Sequence, residues 1–114
     1  MAALLSLPAA AADISGHWVF SVDLAAGGHG DPTFDLVQKG SKLTGTYEGP
    51  LGSQKVEGTV TGTAAQFGFS FDQKGSKVRV TYKAKVEGPG KMSGTVAMET
   101  GAGPGSGTWT AVKK

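Results

Sequence analysis

Cysteine is absent from the chain, which excludes disulfides, a thiol nucleophile, a cysteine metal site and lipid attachment through sulfur. Histidine is scarce. His17 and His29 have no further histidine or carboxylate at metal-ligand spacing, so both read as surface residues and no metal site is expected. A dominant charge is lacking too: 11 Lys+Arg stand against 9 Asp+Glu, and the basic residues are scattered. Nucleic-acid binding needs a concentrated basic footprint, so none is expected. No apolar run after Asp13 is long enough to cross a membrane as a helix.

Catalytic signatures are missing as well. The serines lack a Gly-x-Ser-x-Gly elbow and a His/Asp partner. Asp31 and Asp35, on either side of Pro32, read as a turn residue and an outward strand residue rather than a catalytic pair. Gly27-Gly28-His29-Gly30 is not followed by a helical pattern, which removes the phosphate-cradle reading. The expectation is a non-enzymatic chain without a cofactor.

What is abundant is glycine, with 19 residues, alongside Val, Thr, Phe and Tyr, a mixture of strand formers and turn formers. One phrase returns four times: Leu43-Thr44-Gly45-Thr46-Tyr47, Val56-Glu57-Gly58-Thr59-Val60, Met92-Ser93-Gly94-Thr95-Val96 and, shortened, Ser106-Gly107-Thr108-Trp109. Successive side chains of a strand point to opposite faces, so each phrase places glycine on the apolar face. Glycine weakens a strand and is kept there for close backbone approach, a bend, or room for something large.

Period-two alternation predicts eight strands, near residues 17–24, 33–38, 42–48, 55–61, 65–72, 77–86, 92–99 and 107–112. Their inward sets include Trp18, Phe20, Val22 and Leu24; Phe34 and Leu36; Phe67, Phe69 and Phe71; and Val78, Val80, Tyr82, Ala84 and Val86. Gln38-Lys39-Gly40-Ser41-Lys42 and Gln73-Lys74-Gly75-Ser76-Lys77 are near copies, which reads as an internal repeat of a hairpin. Sequential hairpins without helices imply an all-β fold, an eight-stranded antiparallel up-and-down barrel, with a β-sandwich as the alternative. In the barrel, the loops at residues 25–32, 49–53, 72–76 and 101–105 share one end. One domain is expected over residues 13–114. Residues 1–12, with Leu4, Leu5, Leu7, Pro8 and an alanine run, read as the tail of an export signal or as a disordered leader.

Ile14-Ser15-Gly16-His17-Trp18 resembles the Gly-x-Trp signature that opens the first strand of calycins, the group of lipocalins, fatty-acid-binding proteins and avidins. Leu43-Thr44-Gly45-Thr46-Tyr47-Glu48 looks like the third strand of avidin-type barrels. The chain also resembles small exported bacterial domains that close on Gly-Thr-Trp-Thr, here Gly107-Thr108-Trp109-Thr110. The resemblance implies an exported β-barrel in which Trp18 closes one end. Lys113 or Lys114 stands where lipocalins place a basic residue over that Trp, or forms a solvated tail. With only Trp18 and Trp109, the chain departs from the several tryptophans around biotin in avidins, so biotin binding is not expected.

The inward rings and glycines leave two readings open. In the first, Trp18, Phe20, Phe34, Tyr47, Phe67, Phe69, Tyr82, Met98 and Trp109 line an apolar pocket for a small apolar or aromatic ligand, with Tyr47, Tyr82, Gln38 or Gln73 orienting it. In the second, the rings fill the space beside the glycines, as in solid small barrels, and the outer faces contact a partner protein or an envelope polymer.

Overall fold

The computed structural model describes residues 13–73, 75–100 and 103–114, and among them there is no helix. The expected leader at residues 1–12, and Lys74, Gly101 and Ala102 within the expected loops, lie outside the described residues. Nine strands follow the chain: β1 (Gly16–Leu24), β2 (His29–Gly30), β3 (Thr33–Lys39), β4 (Lys42–Gly49), β5 (Gly52–Thr61), β6 (Ala64–Gln73), β7 (Ser76–Gly88), β8 (Lys91–Thr100) and β9 (Gly103–Lys113). Eight of them pair with their neighbours in sequence, all antiparallel, and β1 pairs with β9 from Trp18↔Lys113 to Leu24↔Gly107, which closes the barrel. Closure removes the edges that would invite other chains. The sandwich alternative is excluded.

The two-residue β2 is a rim piece. The chain after Leu24 turns back so that Val22 pairs with Gly30 and Asp23 with His29, and Pro32 then accepts a hydrogen bond from the Phe20 amide at 2.9 Å. This fold-back makes the loop part of the wall.

Alternation gives the strands their faces. Along β7 the buried positions are Val78, Val80, Tyr82 and Ala84, with Arg79, Lys83 and Lys85 facing solvent. Trp18, Phe20, Phe34 and Phe67 are almost wholly enclosed. Burying each such side chain contributes about 1.5–3 kcal/mol.

The glycines of the repeated phrase have a backbone reason. A Cβ on Gly45 would strike the Asp35 carbonyl, one on Gly94 the Lys83 carbonyl, and one on Gly107 the Asp23 carbonyl. A Cβ on Gly58 would meet the Gln66 carbonyl and the Phe67 backbone. In each case the neighbouring strand already occupies the place of a side chain. Glycine at these points lets the strands bend tightly enough for eight of them to close.

Gly68 does the same against the Val80 carbonyl, on the outer face. It is also where the β5–β6 ladder stops: pairing runs from Thr61↔Ala64 to Glu57↔Gly68 and no further, although both strands continue to the rim. Beyond Gly68 the wall is split by a wedge between β5 and β6.

The two Gln-Lys-Gly-Ser-Lys turns are not equivalent. In the first, Lys39 pairs with Lys42 and Gly40 takes the first turn position, with φ 63°. In the second, Gln73 pairs with Ser76, so Gly75 takes the second position, with φ 83°. Moving the turn by one residue shifts the cross-strand register by two, which keeps the faces: Phe34 pairs with Tyr47, whereas Phe69 pairs with Val80 and Tyr82 pairs with Phe67. The turns also lie at opposite ends of the barrel. The likeness is local, two uses of one turn sequence.

Candidate functional site

One end of the barrel is sealed. Ile14, just before β1, is 1% exposed and sits over Trp18, whose indole Nε1 donates to the Ile14 carbonyl at 2.9 Å. The Ile14 amide donates to Gln38 Oε1 at 2.9 Å, and the Gln38 amide donates to Ser15 Oγ at 2.9 Å, which ties the plug to β3. Gly16 has φ 135°, a conformation that suits glycine, and the Lys113 stem lies where its side chain would be. Gln38 thus serves the closed end, and the Gln73 side chain lies outside the described atoms.

Above the plug lies a packed layer of rings. Phe20 lies 4.4 Å from Phe34 and 4.5 Å from Trp109, ring centre to ring centre, and Phe67 and Tyr82 are parallel at 5.7 Å. Such offset and edge-on contacts add to the burial of the rings themselves. Trp109 Nε1 donates to the Thr95 carbonyl at 2.9 Å, so its one polar atom is satisfied. This half is solid.

Toward the rim the barrel opens into a cavity of about 270 Å³. Its wall comes from Val22 and Leu24 of β1, Val80 and Tyr82 of β7, and Val96 and Met98 of β8. Tyr47 of β4 and the rim residues Pro32, Pro50 and Leu51 complete it, with Gly28, His29 and Gly30 at its edge. An apolar cavity of ~150 Å³ holds benzene and drug-sized pockets begin near ~300 Å³, so this one suits a guest of one or two rings.

Of the residues that the sequence suggests as ligand contacts, Tyr47, Tyr82 and Met98 line this cavity. Phe20, Phe34, Phe67 and Trp109 form the ring layer beneath it, and Trp18 lies at the sealed end. Phe69 stands beside the cavity against Tyr47, ring centres 4.5 Å apart. Alternation marks Val22, Leu24, Val80 and Val96 as inward, but only the register of the closed barrel brings them to the mouth. Pro32, Pro50 and Leu51 come from the loops at residues 25–32 and 49–53, which the hairpin order places together at one end, though nothing in the sequence singles them out within those loops.

Two clusters of charge mark the outer surface. His17 Nδ1 lies 2.7 Å from Asp35 Oδ1 across β1 and β3. At the rim, His29 Nδ1 lies 2.8 Å from Asp23 Oδ1 and Nε2 lies 2.9 Å from Asp31 Oδ1. The hydrogen bonds to Asp23 and Asp31 hold the His29 imidazole above its ordinary value of 6.5. Asp31 and Asp35 therefore pair with separate histidines. Among the described residues no group of three His, Asp or Glu side chains is arranged so that it could hold a metal ion.

Burial raises the Tyr82 phenol, with the nearby Tyr47 phenol adding to the effect, and burial raises Tyr47 against a hydrogen bond from the Leu51 backbone. Both are neutral hydroxyls at physiological pH.

A second concavity of about 580 Å³ lies on the outer face at the β5–β6 wedge, flanked by Lys55, Glu57, Gln66, Ser70 and Arg79. Its walls carry both charge signs and it is open to water. Selective binding of a small molecule favours a concave, mostly apolar site, which the mouth cavity supplies.

No family model and no curated protein matches the sequence. The fold has structural counterparts. The protein EF1p2_mFAP2b, in a structure bound to DFHBI, aligns with a TM-score of 0.66 at 10% identity over 89% of this chain and 94% of that one. The redesigned β-barrel b11L5F_LGL aligns with a TM-score of 0.63 at 15% identity over 89% and 91%. A de novo designed fluorescence-activating β-barrel aligns with a TM-score of 0.57 at 13% identity over 96% and 100%. The chain shares its closed β-barrel fold with these proteins.

Proposed function

We propose that the chain is a non-enzymatic binder of a small apolar or aromatic molecule, held in the mouth cavity. The observation that carries this is the division of the barrel: a solid aromatic floor under a cavity of about 270 Å³ with an almost wholly apolar wall. A barrel that served only as a scaffold would gain stability by filling that volume. That EF1p2_mFAP2b, which has this fold, is bound to DFHBI supports the reading.

Titration with apolar and aromatic probes, read by Trp fluorescence, tests it. Saturable binding is expected, with loss of at least tenfold in affinity in Val96→Trp, which fills the cavity from β8. Binding that is unchanged in a folded Val96→Trp protein would place the guest elsewhere.

Export is part of the proposal, supported by Leu4, Leu5, Leu7 and the small-x-small run Ala10-Ala11-Ala12 before Asp13. Sequencing the N-terminus of protein recovered from its source is expected to find Asp13 first. A mature chain retaining Met1 would contradict it.

A further inference from the structure

The mouth cavity has three polar side chains in its wall: His29, Tyr47 and Tyr82. Both ring nitrogens of His29 are engaged by carboxylates. The Tyr47 oxygen lies toward the rim, where the Leu51 backbone acts on it and a Cβ on Gly49 would meet it. Tyr82 differs from both. The residue is 4% exposed, and its hydroxyl has no hydrogen-bond partner among the described residues. No wholly enclosed side-chain polar atom there lacks a partner, so the Tyr82 oxygen touches the open space of the cavity.

Its ring cannot swing away to find one. It is parallel to Phe67 at 5.7 Å, edge-on to Phe34 at 5.1 Å and 5.8 Å from Trp109. A rigid hydroxyl is thus aimed into an otherwise apolar space.

Resting on the reading of this cavity as a ligand site, we propose that it selects a neutral one- or two-ring aromatic carrying a hydrogen-bond acceptor such as a carbonyl, with the Tyr82 hydroxyl as donor. Water can serve the hydroxyl while the cavity is empty. A purely hydrocarbon guest displaces that water and strands the group, whereas an acceptor-bearing guest replaces the bond. A neutral acceptor fits better than an anionic one, because the carboxylates of Asp23 and Asp31 stand at the rim and His29 already serves both.

The test uses 1-indanone, a two-ring ketone, and indane, the same skeleton without the oxygen, titrated calorimetrically into the full chain, Tyr82→Phe and Tyr47→Phe. Tyr82→Phe is expected to weaken 1-indanone about fivefold to tenfold and to leave indane unchanged or tighter, with a smaller change in Tyr47→Phe. An unchanged ratio of the two affinities in Tyr82→Phe would overturn the acceptor assignment while leaving the cavity as an apolar site. If neither compound binds the unmodified chain, the ligand reading falls with it. A direct readout needs no variant: the carbonyl stretch of 1-indanone bound to the unmodified protein is expected below its value in hexane. A stretch at the hexane value would also overturn the assignment.

Discussion

Single residues carry two separable roles here, closure and recognition. Gly45, Gly58, Gly94 and Gly107 could serve close backbone approach, a bend, or room for a ring or a guest, and the structure shows the first, since the carbonyl of the next strand lies where a Cβ would be. Replacing Gly94 with Ala should therefore destabilise by about 1–3 kcal/mol or more in chemical denaturation, by forcing strands apart. Gly88→Ala is the control, since nothing lies within 4 Å of a Cβ there, and should change stability little. Equal effects at the two sites would refute the backbone explanation. The pattern of glycine was legible in the sequence and close backbone approach was among its possible causes; the choice between them was not legible, because alternation specifies a face and says nothing of how close the next strand comes. Ile14 was missed as a plug for a related reason, since it precedes the first alternating run. At the rim, His29 should titrate above 6.5 by NMR, with Asp31→Asn bringing it down. Its folded value is raised, so its contribution to holding the rim is present below the ordinary histidine range. It is lost as pH rises through the folded value. A His29 titrating at or below 6.5 would contradict the clamp.

Among the elements, β6 is the one whose path sequence reasoning could not supply. Its alternation of Phe67, Phe69 and Phe71 was plain, but the break at Gly68, where β6 leaves β5, needs the positions of β5 and β7 together. Amide exchange should reveal the wedge: amides at residues 53–56 and 69–72 that face the gap should exchange faster than those at 57–61 and 64–68. Uniform protection along both strands would mean that the wall is whole. The paired turns teach a similar lesson. Residues 38–42 and 73–77 share a sequence, yet the first hairpin places Gly40 at one turn position and the second places Gly75 at the other. The flanking register, fixed by which rings must face inward, decides how the same five residues turn. Strand existence and facing came from periodicity alone, while pairing offsets came from closure.

The whole molecule is a barrel divided along its axis. Trp18 and Ile14 seal one end, the rings of Phe20, Phe34, Phe67 and Trp109 form a floor, and the mouth stays open between β1, β4, β7 and β8. The sequence posed solid and hollow interiors as alternatives for the entire barrel, and the answer differs by depth. Depth was invisible because each strand's position along the axis depends on how all eight are staggered. The expected site residues consequently spread over three levels, with Tyr47, Tyr82 and Met98 at the mouth. A stabilising guest should raise Tm as its concentration rises, since it binds only the folded chain. The most direct measurement is a crystal structure of the protein grown with 1-indanone. 1-Indanone is expected between Val22, Val96 and Met98, above the Phe20–Trp109 stack, with the ring layer unmoved. A mouth filled by collapse of Met98 and Leu51, with no guest inside, would contradict a barrel built to hold one.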